Sequence, residues 1–150
     1  MNTIINKLPQ DIVLRIIPYT YSVQNKELLQ DIIDYTKMKL LLLKRYFYFW
    51  IFIMENNEPE DKNWMVNDLI SFANDDNPTM LGYVDKFYNI FKRNTQLQTK
   101  SKDIIDKYFY HLEKKDVNTQ INIFLGLLLP FEREEFFDLF KSYDYFEIDI

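Results

Sequence analysis

TKMKLLLLKRYFYFWIFIM, residues 36–54, is the stretch on which the fold turns. Its first half repeats apolar side chains at Met38 and Leu40 to Leu43, with Lys37, Lys39, Lys44 and Arg45 around them. Its second half is apolar at nearly every position from Tyr46 to Ile53. The length of the apolar-periodic run predicts a helix from about Thr36 to Met54, because strands of this length are rare. The aromatic residues at 46–53 carry β-propensity, so a strand there is the local alternative. A helix that is apolar nearly all round is buried, so this one is expected at the centre of the core.

Working upstream, Val23, Leu28, Leu29, Ile32, Ile33 and Tyr35 recur at three-to-four spacing, which predicts a separate helix ending near residue 35 with Ser22 as its N-cap. Leu8-Pro9-Gln10-Asp11-Ile12 opens a shorter helix, with Pro9 in its first turn and Pro18 as its stop. Downstream, residues 55–62 hold a proline, two asparagines and an acid cluster, so they read as a loop and as a boundary. The expected organisation is an N-terminal helical unit over residues 1–54 and a helical unit over 55–150 packed on it, or one domain throughout. Helical stripes follow at Trp64 to Phe72, Met80 to Phe91, Ile104 to Leu112 and Ile121 to Leu129. Asn77 and Pro78 open the second of these, Ser101 caps the third, and Pro130 ends the fourth. Phe131 to Tyr143 forms the last. Gly82 and Gly126 fall inside apolar helices, where close packing is the expected reason for them. The tail 142–150 alternates aromatic or apolar residues with acids. The expected fold is all-α, one compact body of about eight helices with no confident strand.

Composition narrows the function. The chain of 150 residues is 47% hydrophobic and 17% aromatic, which is ample to offset chain entropy. It has 2 Gly and 5 Pro, too few for the hairpins of a sandwich or barrel. It has no Cys and one His, so no disulfide framework, no thiolate nucleophile and no histidine-based metal site are expected. Phosphate-binding glycine motifs are absent. His111 has no second histidine near it and reads as a structural or surface residue. The acid clusters 58–61 and 75–76 lack the alternating ligands and glycine of a calcium loop. No enzyme activity, catalytic residue, cofactor, metal or small-molecule substrate is expected.

The formal net charge is -5, so nucleic acid is not expected as a partner. Residues 1–54 hold seven basic and four acidic side chains, a net of +3, and residues 55–150 hold eleven and nineteen, a net of -8. The N-terminus lacks the pattern of a signal peptide, and no apolar run approaches the 20 or so residues of a membrane span. A soluble intracellular protein is the expectation.

One motif points to a partner. Leu8-Pro9-x-Asp11-Ile12, a leucine-rich helix, and then Leu41-Leu42-Leu43-Lys44-Arg45 running to Trp50 resemble an F-box. The segment from Ile17-Pro18-Tyr19-Thr20-Tyr21 to Asp31-Ile32 is similar to segments of F-box-like, poorly characterised proteins of large nucleocytoplasmic DNA viruses, the mimivirus-like ones among them. The resemblance covers about residues 5–50. It implies a viral protein-interaction module in the host cytoplasm or virion. Its partner would be the small adaptor of a cullin-type ubiquitin ligase, or another viral protein, held by Leu8, Pro9, Ile12, Ile16 and Leu28. The aromatic load, 24 Phe and Tyr together, raises an alternative: a self-associating scaffold of the virion or replication factory. A helical host-modulator of the apoptosis-regulator type is a further alternative.

Overall fold

The computed structural model describes residues 9–12, 14, 25–55 and 60–139. Leu8, Ile16, Ser22 and the tail 142–150 lie outside them. The protein is all-α, as the periodicity predicts. Among the described residues, 10–12 and 14 are helical, and six further α-helices follow: α1 (Lys26–Tyr48), α2 (Asp61–Ala73), α3 (Asp85–Phe91), α4 (Lys102–Leu112), α5 (Val117–Leu127) and α6 (Pro130–Asp138). A π-helical turn, Phe49–Ile53, continues α1, and a 3-10 turn, Thr79–Leu81, precedes α3. The chain divides into two compact units, residues 1–32 and 33–150. Residues 26–32 of α1 belong to the first and 33–48 to the second.

In place of the two helices expected over 22–54, residues 26–48 form one. No proline or glycine interrupts Tyr35-Thr36, so nothing breaks the hydrogen-bond ladder there. Asn25 caps it: its side chain accepts from the Glu27 N–H at 2.9 Å and its carbonyl from the Leu29 N–H at 3.0 Å. At the far end the Met54 N–H donates to Phe49 O at 3.0 Å, the i→i+5 bond of a π turn, and Glu55 takes a left-handed φ of 51°. The expected strand alternative at 46–53 is thereby replaced by helix and π turn.

The helix predicted from Met80 to Phe91 is cut in two by its connection. After α2 the Asp76 N–H closes back on Ser71 O at 2.9 Å, with Asp75 and Asp76 both left-handed, at φ 48° and 56°. The 3-10 turn then ends at Gly82, whose φ of 94° is a glycine conformation. A Cβ at Gly82 or Gly126 would meet nothing within 4 Å, so close packing explains neither glycine. Asn77 does not cap a helix. The organising residue is Asn74, fully buried. Its amide donates to Asn77 O at 2.8 Å and Gly82 O at 3.2 Å, and its Oδ1 accepts at 2.9 Å from the N–H of Val84, the N-cap residue of α3.

α4 begins after Ser101 as expected, without a side-chain cap bond. Asp116 caps α5, accepting from the Thr119 N–H at 2.9 Å. Pro130 does not end α5, which stops at Leu127. It is the first residue of α6, where its missing N–H is harmless.

The buried core formed by the described residues lies in the second unit. α2 packs on α5 and α3, and α3 packs on α4. Phe87, Phe91, Phe109 and Phe124 are buried at its centre. Phe87 meets Phe109 edge-on at 5.1 Å and Phe91 meets Phe124 at 5.5 Å, the offsets that ring quadrupoles favour. Arg93 ties the chain after α3 to α6 through a two-pronged pair with Glu132, at 2.5 and 2.8 Å, and also donates to Leu127 O at 2.9 Å. Burial pushes the Glu132 carboxyl up, but the Arg93 hydrogen bonds, the Leu129 N–H and the Arg93 charge outweigh it and hold it below the usual range.

Candidate protein-interaction surface

α1 has two apolar faces. Within the second unit, Leu42 and Tyr46 are buried, and Tyr35, Met38 and Leu43 pack against the core. Leu40 stands about 200° around the helix from Leu42 at 100° per residue. It is 55% exposed, and Ile33 and Phe47 on the same line are 45% and 49% exposed. The spacing of seven keeps the three within about 40° of one another on the helix wheel. Lys37 and Lys44, also seven apart, are exposed beside this line. The apolar composition of residues 36–54 led to an expectation of central burial. The structure corrects it: only one side of α1 enters the core, and no residue of the π turn is buried. Phe52, Ile53 and Met54 are exposed there, with Phe52 stacked on Tyr48 at 5.0 Å.

The inner face of α1 is fixed by polar contacts as well as by packing. The Tyr46 hydroxyl donates to Asp68 Oδ2 at 2.6 Å. Burial, with the Asp68 hydrogen bond and charge, pushes the Tyr46 phenol far above its ordinary value. Burial also raises Asp68, opposed by the Tyr46 hydrogen bond and reinforced by the Asp76 charge. The Arg45 guanidinium lies 3.9 Å over the Phe137 ring and donates to Phe137 O at 3.3 Å. The rotation of α1 is therefore set, and the outer line faces solvent by construction.

Of the residues expected to hold a partner, Leu8 and Ile16 lie outside the described residues. In the first unit, Pro9 is exposed and its carbonyl accepts from the Ile12 N–H at 3.0 Å. Ile12 is half-buried, and Leu28 is 53% exposed with Leu29 and Ile32 also open on α1. Ile33, Leu40 and Phe47 were not singled out from the sequence. Their signal was the coincidence of two seven-residue spacings, apolar at 33, 40 and 47 and basic at 37 and 44.

The titratable clusters are otherwise engaged. Asp106 accepts from the Tyr88 hydroxyl at 2.8 Å, and His111 is exposed beside the Tyr110 ring. Burial, then the Asp106 hydrogen bond, raises Tyr88 to about 12. Asp75 pairs with Lys86 at 2.9 Å, and Asp76 accepts from Ser71 at 3.0 Å. Among the described residues no three His, Cys, Asp or Glu side chains group as metal ligands, and no helix is long and apolar enough to cross a membrane. A groove of about 290 Å³ between α2 and α5 is lined by Asn63, Asn67, Gln120 and Glu113 with Val66, Ile70 and Val117.

Comparison with known proteins adds no relative: no family model matches the chain, and neither a curated protein nor a solved structure does.

Proposed function

We propose that the protein is a non-enzymatic interaction module that holds a protein partner through apolar side chains left in solvent. The observation that carries this reading is the opening turns of α1, where Leu28, Leu29 and Ile32 are all exposed. Single exposed leucines are ordinary, but neighbouring ones on one helix have the composition of a contact surface. The F-box-like motif supplies the finer reading. In it, Leu8, Pro9, Ile12, Ile16 and Leu28 hold the small adaptor of a cullin-type ubiquitin ligase, in the host cytoplasm or virion of a large DNA virus. The test is calorimetry of the purified full chain with that adaptor, beside Leu28→Asp. Binding by the parent and its loss in the variant support the reading. A folded parent that binds no adaptor removes the ubiquitin-ligase role.

A second reading, a self-assembling scaffold, draws on the tip of the 3-10 turn. Met80 is 89% exposed and Leu81 80% exposed there. Sedimentation of the full chain across concentration separates the two, since a scaffold grows with concentration and Met80→Ser/Leu81→Ser suppresses the growth.

A further inference from the structure

The outer line of α1 in the second unit has the format of one half of a two-helix seam. Ile33, Leu40 and Phe47 recur every seven residues; the alternate position of the heptad holds Thr36, exposed, and Leu43, which is turned partly into the core. Taking Ile33 as the first seam position, Lys37 and Lys44 occupy the flanking position of two successive heptads, and both are exposed. The opposite flank is Lys39, half-buried, and Tyr46, buried and bonded to Asp68. So the open flank of the seam is wholly basic, on a chain whose net charge is -5.

We propose that the Ile33, Leu40 and Phe47 line of α1 is a docking seam for an amphipathic helix of a partner protein that carries acidic side chains beside its own apolar stripe. The apolar line supplies contact area, and the two lysines select the charge of the helix that lies on it. A second copy of this chain is a poor occupant. Antiparallel pairing of two α1 helices about Leu40 sets Lys37 against Lys44 of the other copy, and parallel pairing sets Lys39 against Lys44. Like charges at such positions oppose association. A membrane surface is also a poor occupant, because interfacial helices bury a broad apolar face. Here the line is narrow, with Lys37 and Lys44 exposed on one side of it and Thr36 on the other.

The experiment uses the full chain and two synthetic helical peptides with the same leucine seam, one flanked by Glu and one by Lys, followed by fluorescence anisotropy. The Glu peptide is expected to bind about tenfold more tightly than the Lys peptide, since two flanking pairs switch from attraction to repulsion. Leu40→Asp is expected to abolish binding with its helical circular dichroism unchanged. Lys37→Glu/Lys44→Glu, which leaves the apolar line intact, is expected to reverse the preference. Equal affinity for both peptides overturns the proposal, as does a folded parent that ignores the Glu peptide. A dimer dissolved by Leu40→Asp would overturn it in favour of a second copy. Adsorption to phosphatidylserine vesicles in place of the Glu peptide would overturn it in favour of a membrane surface.

Discussion

Replacing Asn74 by alanine isolates the residue that shapes the connection between α2 and α3. Its side chain is fully buried and makes three hydrogen bonds, two donated to Asn77 O and Gly82 O and one accepted from the Val84 N–H. Alanine makes none. At roughly 1 kcal/mol for each bond lost to backbone groups, the cost is about 3 kcal/mol. With a urea slope of about 2 kcal/mol/M, the unfolding midpoint drops by about 1.5 M. Asn77→Ala is the control. Its amide also donates to two carbonyls, Asn74 O at 3.0 Å and Asp75 O at 3.1 Å, but the residue is exposed, so water replaces those bonds and the midpoint moves by less than about 0.5 M. Equal shifts for the two variants would refute the assignment of Asn74 as the organising residue. So would an Asn74→Ala shift below about 0.5 M.

Arg93→Ala leaves Glu132 buried without its two-pronged partner and is expected to cost about 3 kcal/mol in the same urea assay. The pair also sets an acid limit. The folded Glu132 value lies below the 4.5 of an unperturbed glutamate, so its contribution is full above that pH and is lost as pH falls through the folded value. In Arg93→Ala the unfolding free energy should therefore vary less with pH in that range. Tyr88 sets an alkaline limit in the opposite sense. Its phenol is raised from 10.0 to about 12, so the stability it confers is full below 10.0 and lost as pH rises through about 12. Tyr88→Phe should flatten the fall in unfolding free energy between those values, and an unchanged fall would contradict the assignment.

Much of the fold was legible because helices of amphipathic sequence announce themselves by period. The stripes Trp64 to Phe72 and Ile104 to Leu112 lie on helices close to where periodicity places them. What was hidden depended on contacts distant in sequence or on single backbone angles. Period alone could not tell that α1 runs unbroken through Tyr35-Thr36, since two helices in phase and one long helix share a pattern. Gly82 looked like a helical glycine because its neighbours are apolar, yet its φ of 94° ends the 3-10 turn. Asn74 belongs to no motif of the sequence, and its role comes from backbone groups as far on as Gly82 and Val84. Of the surface, the F-box-like motif drew attention to residues 8–28. The outer line of α1 was masked by the density of apolar residues around it. A run apolar on all sides has the composition of a central helix whether one face or both are covered. Which face is covered is decided by Leu42 and Tyr46 meeting the rest of the core.

That division of α1 is the centre of the account, and the unfolding free energies of Leu42→Ala and Leu40→Gln test it directly. Leu42 is fully buried, so its truncation should cost about 3 kcal/mol through lost transfer energy and the cavity left behind. Leu40 is 55% exposed, so its replacement should cost less than about 1 kcal/mol. Equal losses from the two variants would mean that both faces hold the fold together, and that α1 has no free apolar side to offer a partner.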